Sequence, residues 1–212
     1  MKLDRWTFTT ALAGAAVWLT CTAFTQDAAT PGGGGAPNAD AMAAMQEGMK
    51  KWMETCKVGP QHQKLAKLVG KWDTEFVMYG MGPTPEKSPG TAEFSWLFDG
   101  RWLQQNWSGS MMGMPVSGHS IVGYDNFKQK YTSVWVNSMD TQMLTAEGNF
   151  DQSGNALITY GQMDEPMTGE NDKMVKYVTR FEGDDKLVFE IHDLAIGEAN
   201  TKVIEVTYTR KK

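Results

Sequence analysis

Beyond Gly70 the spacing of apolar residues changes from the 3.6 period of a helix to the period of two that marks a half-buried strand. That period then persists to the end of the chain. Trp72, Thr74, Phe76 and Met78 alternate with Asp73, Glu75, Val77 and Tyr79, and a proline-rich loop over Gly80–Pro89 ends the run. Nine further runs follow: Thr91–Phe98, Arg101–Ser110, Pro115–Tyr124, Tyr131–Asn137, Met143–Phe150, Ala156–Gly161, Met174–Phe181, Leu187–His192 and Lys202–Thr209. Turn residues separate them. Asp99-Gly100 reads as a two-residue hairpin, and Asp125-Asn126, Asp151 to Gly154, Gly183 to Asp185 and Gly197 to Asn200 as later turns. No helical pattern intervenes, so the strands form an antiparallel meander. A flat sheet of that many strands would expose two edges and leave a face uncovered, which predicts that it curls and closes. A barrel of about ten strands encloses a cavity.

The residues before Gly70 read differently. Lys2 and Arg5, the apolar stretch from Ala11 to Phe24 and the small residues Cys21-Thr22-Ala23 compose a secretory signal, with residues 1–23 removed after Ala23. Lipidation at Cys21 is the weaker alternative, because Trp18-Leu19-Thr20 is a poor approach to such a site. The apolar stretch falls short of the about 20 residues a permanent span needs. No integral membrane segment is therefore expected after cleavage, and the mature chain is expected to be extracytoplasmic, either periplasmic or secreted. Residues 24–37, with Gly32 to Gly35 consecutive, read as a disordered tether. Asn38 can cap an amphipathic helix within residues 38–58, whose Met42, Met45, Met49, Trp52, Met53 and Cys56 share a face. A shorter helix opens the domain of residues 59–212, with Pro60 in its first turn and Leu65, Leu68 and Val69 as its stripe.

The formal net charge of −5 and the scattering of basic residues leave no footprint for phosphates, so nucleic acid is not expected as a partner. Arg210-Lys211-Lys212 reads as a solvated tail. If Cys21 leaves with the signal, Cys56 stands alone and no intramolecular disulfide staples the domain.

The stretch from His62 to Lys212 resembles DUF1579, a family of bacterial secreted domains of unknown function. The residues that carry the resemblance are Gly70-Lys71-Trp72, Phe98-Asp99-Gly100-Arg101, Gly118 with Ile121-Val122-Gly123-Tyr124-Asp125-Asn126, Trp135 through Asn137-Ser138-Met139, Gly148 with Asp151 and Gly154, and Tyr208-Thr209-Arg210. The Gly-x-Trp before the first strand is also similar to the start of a lipocalin or related calycin barrel, where the tryptophan packs beneath the cavity. The resemblance implies an all-β, antiparallel up-and-down, calycin-like barrel with short N-terminal helices and a structural Trp72. It brings no catalytic residues.

Sets that carry chemistry are sparse. His62, His119 and His192 sit in separate segments without ligand spacing, no serine occupies a nucleophile elbow, and no metal or cofactor is expected. The methionines of Met111-Met112-Gly113-Met114, with Met78 and Met81, suit Cu(I) chemically, but they equally fill irregular rims. Candidate lumen residues are the aromatic Trp96, Trp107, Trp135, Tyr160 and Tyr177 with the polar His119, Glu147, Arg180 and Glu190, since alternation does not tell inside from outside. The leading expectation is non-catalytic binding of a small hydrophobic or amphipathic ligand in the lumen, which a lumen filled by Trp and Phe would oppose. The alternatives are an enzyme using Glu93, Glu147, Glu190 or His119 in the pocket, and a cell-envelope interaction module docked through the Met-rich helix.

Overall fold

The computed structural model describes residues 38–80, 82–166, 168–194 and 201–212. The expected signal and tether, Cys21, Met81 and the turn from Gly197 to Asn200 lie outside them. Packing divides the chain into Met1–Met42 and Ala43–Lys212. Of the first unit, Asn38 and the opening turn of helix α1 (Ala39–Thr55) are described. The Asn38 side chain accepts the Ala41 amide at 2.8 Å, the capping bond its identity predicts. Along α1 no residue is buried.

The second unit holds ten strands: β1 (Gly70–Met78), β2 (Glu86–Leu97), β3 (Trp102–Met111), β4 (Met114–Asp125), β5 (Lys130–Asn137), β6 (Leu144–Phe150), β7 (Ala156–Glu165), β8 (Glu170–Phe181), β9 (Lys186–Asp193) and β10 (Thr201–Arg210). Each pairs antiparallel with its sequence neighbours, and β1 pairs with β10 to close the barrel. Closure removes both edges, as the length of the meander requires.

Two expectations are corrected. β2 begins at Glu86 and contains Pro89, which the sequence placed in a loop. Up to Gly90 the backbone of this strand pairs with β1 alone, and its ladder with β3 begins at Thr91, so the missing proline amide falls where no ladder bond to β3 is lost. Asp99-Gly100 is not a two-residue hairpin. Leu97 pairs with Trp102 across four loop residues, three of which, Phe98, Asp99 and Gly100, have positive φ. The two-residue turn lies instead at Met112-Gly113, where φ is 49° and 73° between the paired Met111 and Met114.

One end of the barrel is plugged. Helix α2 (Pro60–Gln63) and the 3-10 turn Lys64–Leu68 insert Leu65 and Leu68, both buried, beneath Trp72, Phe94, Leu103, Leu187 and Tyr208. Trp72 donates its indole N–H to the Leu68 carbonyl at 2.8 Å. The Arg210 guanidinium stacks 4.1 Å from the Trp72 ring centroid and donates to the carbonyls of Lys67 (2.6 Å), Val69 (2.7 Å) and Asp184 (2.9 Å). Arg210 therefore belongs to the plug and not to a solvated tail. His62 caps α2 by accepting the Gly59 amide on Nδ1 and is buried against Tyr124.

Candidate functional site

The register sorts every strand residue by face. Trp72, Ala92, Trp107, Gly118 and Asn137 form a line of inward neighbours, as do Phe94, Gln105, Ser120 and Trp135, and so do Thr159, Tyr177 and Ile191. Four of the nine candidates, Trp96, Trp107, Trp135 and Tyr177, thus face the interior. The other five, His119, Glu147, Tyr160, Arg180 and Glu190, sit on alternate positions and face out.

Toward the plug the interior is filled. Trp72, Phe76, Phe94, Trp107 and Tyr208 pack together and are each less than a tenth exposed. Polar groups in this half are paired internally: Trp107 Nε1 donates to Thr74, Gln105 donates to the Tyr208 hydroxyl, and Ser120 donates to Gln105. Burial pushes the Tyr208 hydroxyl up to about 12.

Toward the opposite, open end the inward side chains are only half buried. Trp135, Leu144, Met163, Phe189, Ile191 and Ile204 are of this kind. Glycines leave room for the indoles to lie against the wall, Trp135 at this end and Trp107 in the packed half. A Cβ on Gly118 would sit 2.0 Å from the Trp135 ring, and one on Gly109 2.4 Å from the Trp107 ring. Between the two halves Tyr177 stacks on Phe189, with centroids 6.1 Å apart and planes at 16°. Its hydroxyl is fully buried and has no hydrogen-bond partner among the described residues. Burial raises it to about 12, so it stays a protonated donor. At the rim, inward-facing Lys173 reaches Asp193 at 2.9 Å and Glu170 at 3.3 Å, and the Asp193 bond holds the ammonium above its usual range.

The outward residues are held in surface networks. Glu147 pairs with Lys130 at 2.6 Å and with Lys128, which keeps its carboxyl below the ordinary range. Glu190 is met by Arg180 (3.4 Å), His192 (3.2 Å) and Lys202 (3.4 Å). Burial alone would raise the Glu190 carboxyl, and these partners overcome it and hold it low. His119 hydrogen-bonds Asn106 at 2.9 Å, and Tyr160 and Glu93 are exposed. With Glu93, Glu147, Glu190 and His119 all outside, the acid–base roles considered for them do not arise in the lumen. Among the described residues no group of three or more His, Cys, Asp or Glu could hold a metal, and no helix is long and apolar enough to cross a membrane.

Two concavities lie on the outer wall across β3, β4 and β5. One, of about 430 Å³, holds His119, Asn106, Val136 and Ser138 around Gly118. The other, of about 320 Å³, is apolar and lined by Leu97, Phe98, Trp102, Ile121 and Val134.

A model of the DUF1579 family, described as a protein of unknown function, matches residues 57–210. The chain belongs to the DUF1579 family. No curated protein matches it in sequence. In structure the DUF1579 barrel is similar to Rv2717c from M. tuberculosis, at 15% identity and a TM-score of 0.53, covering 74% of this chain and all of that one. A weaker likeness, TM-score 0.48 at 11% identity, is to the S-type phycobiliprotein lyase CPES from Guillardia theta, covering 71% of this chain and 92% of that one.

Several residues of the DUF1579 interior escaped the sequence reading. Lys173 and Asp193 lie one residue beyond the expected strands Met174–Phe181 and Leu187–His192, where alternation assigns no face. A signal for Lys173 existed in its two-residue spacing from Val175 and Tyr177. Gln105 and Ser120, in the polar runs Gln104-Gln105-Asn106 and His119-Ser120, give no hydropathy signal, yet both face inward and Gln105 is buried.

Proposed function

We propose that this DUF1579 protein is an exported binder of a small amphipathic molecule, which it holds in the open half of the barrel with a hydrogen-bond acceptor against the Tyr177 hydroxyl. The observation that carries the reading is that orphaned hydroxyl. A buried donor without a partner costs about 1–3 kcal/mol, and a carbonyl or carboxylate oxygen of a ligand would satisfy it. The half-buried apolar side chains above Tyr177 suit the hydrocarbon part, and the Lys173–Asp193 pair supplies polar contacts at the mouth. The filled half below limits the ligand to something short. Support for export is the N-terminal signal pattern.

Native mass spectrometry of protein taken from its own cells tests both parts. The expected result is a chain starting at Phe24 that retains a small organic mass, with the mass lost in Tyr177→Phe. An empty wild-type protein, together with unchanged Trp135 fluorescence across a panel of fatty acids and isoprenoid acids, would sink the binding proposal. A chain that starts at Met1 would sink the export one.

A further inference from the structure

The two ends of the barrel differ in charge. Lys64, Lys67, Arg101, Arg210 and Lys211 lie about the plug. At the mouth the balance is reversed. The loop between β5 and β6, the β7–β8 hairpin and the end of β9 carry Asp140, Asp164, Glu165, Glu170, Asp172 and Asp193. The lysines described at this end are already met by carboxylates: Lys173 by Asp193 and Glu170, Lys87 by Glu75 at 3.0 Å, and Lys202 by Glu205 and Glu190. Asp140 and Asp164 accept backbone and amide N–H groups, and neither they nor Asp172 has a basic partner among the described residues. Every described methionine beyond Gly59 also lies at or near this end. Met78, Met111 and Met163 face the lumen, and Met112, Met114 and Met143 are exposed at its lip.

We infer that the ligand of the open half is a cationic amphiphile, with a neutral oxygen against Tyr177, a hydrocarbon run along the walls and an ammonium group at the mouth. This rests on the binding reading above and narrows it. Tyr177 is nine-tenths buried, and its unpartnered hydroxyl belongs to the inward face of the lumen that the carboxylates rim. Among the described residues, the ionisable side chains that face into this half are Lys173 and Asp193, and they neutralise each other at the rim. An ionised carboxylate beside Tyr177 would therefore be a buried charge facing one neutral donor, which is costly. The buried oxygen is instead a carbonyl, ether or hydroxyl. Tyr177 lies four residues from Lys173 along β8, about 13 Å, a span that suits a chain of roughly ten carbons. At the mouth an anionic head would meet Asp140, Asp164 and Asp172 with no free cation to receive it, whereas an ammonium is attracted by all three. Flexible thioethers cover the methylenes beside that head without competing for its charge.

Three probes of one length test the inference. The ω-aminodecanol, α,ω-decanediol and ω-hydroxydecanoate molecules share a hydroxyl for Tyr177 and differ only in the group left at the mouth. Calorimetric titration of the delipidated full chain reads their affinities. At low salt ω-aminodecanol should bind tightest and ω-hydroxydecanoate roughly tenfold or more weaker, with the gap closing as added salt screens the rim. Asp164→Asn/Asp172→Asn keeps the acceptor for the Asp172 amide and a residue type that tolerates the positive φ at position 172, and it should narrow the gap to about threefold or less. Glu54→Gln/Asp99→Asn removes the same charge at the plugged end and should leave the gap unchanged. Equal affinity for the two charged probes, or a preference for ω-hydroxydecanoate, would overturn the cationic assignment while leaving the lumen a binding site. So would a gap that narrows as much with the plugged-end pair as with the rim pair, because net charge alone would then set it. Binding of none of the three would remove the binding reading and this inference with it.

Discussion

Tyr177 and His62 show how one side chain's surroundings turn into a measurable effect. Removing the Tyr177 hydroxyl removes an unsatisfied donor while keeping the stacked ring, so Tyr177→Phe should leave the ligand-free barrel as stable as before, or more stable by about 1 kcal/mol. Urea denaturation of delipidated protein reads this directly. His62 works through protons. Burial holds its imidazole below 6.5, where it would titrate in the unfolded chain, and Nδ1 must stay unprotonated to accept the Gly59 amide. Just below pH 6.5 the unfolded chain binds the proton and the folded one does not, so stability is complete above that pH and falls as the pH drops through the window. Urea midpoints at pH 7.5 and 5.5 should differ more for the wild type than for His62→Asn. The carboxylates held low, Glu147, Asp151 and Glu170, lose their contributions only below their ordinary range, so the two effects separate on the pH axis.

Elements here are shaped by where a side chain is missing. A Cβ at Gly148 would meet the Ile158 carbonyl oxygen at 2.0 Å, and backbone cannot step aside, whereas one at Gly118 meets the movable indole of Trp135. Gly148→Ala should therefore cost about 3 kcal/mol, at the upper end of overpacking effects, and Gly118→Ala less. Gly118→Ala should also shift the Trp135 emission, which separates the two cases by fluorescence. The strands themselves were legible in the sequence because a period of two survives wherever one face is buried. The facing of those strands was not legible. The inner face carries Thr74, Ser88, Gln105, Ser120 and Thr159, and the outer face carries Trp102, Ile121, Val134, Val178 and Val188. With polar residues inside and apolar ones outside, hydropathy alone leaves the two faces alike, and that is why Glu147, Arg180 and Glu190 were placed in a lumen they do not reach. Pro89 hid the start of β2 for a different reason: whether a proline breaks a strand depends on the neighbour it faces, which is a tertiary fact.

For the whole molecule, closure and plugging are one event. Arg210 ends β10 opposite Trp72 at the start of β1, so the residue that completes the last seam also clamps the helix carbonyls. Arg210→Ala should lower stability by about 3 kcal/mol, and Arg210→Lys should recover less than half of it, because an ammonium cannot reproduce a stacked guanidinium that serves three carbonyls. Urea titrations of the three proteins would show the order. That seam also fixes the molecule's polarity as an object. The first strand starts and the last strand ends side by side at the plugged base, so a carrier domain, a fluorescent reporter or a solid support joined after Lys212 is held from beneath. The mouth stays clear, and a permuted gene that links Lys212 to Gly59 and opens at Met112-Gly113 should yield the same barrel with its new termini at the rim.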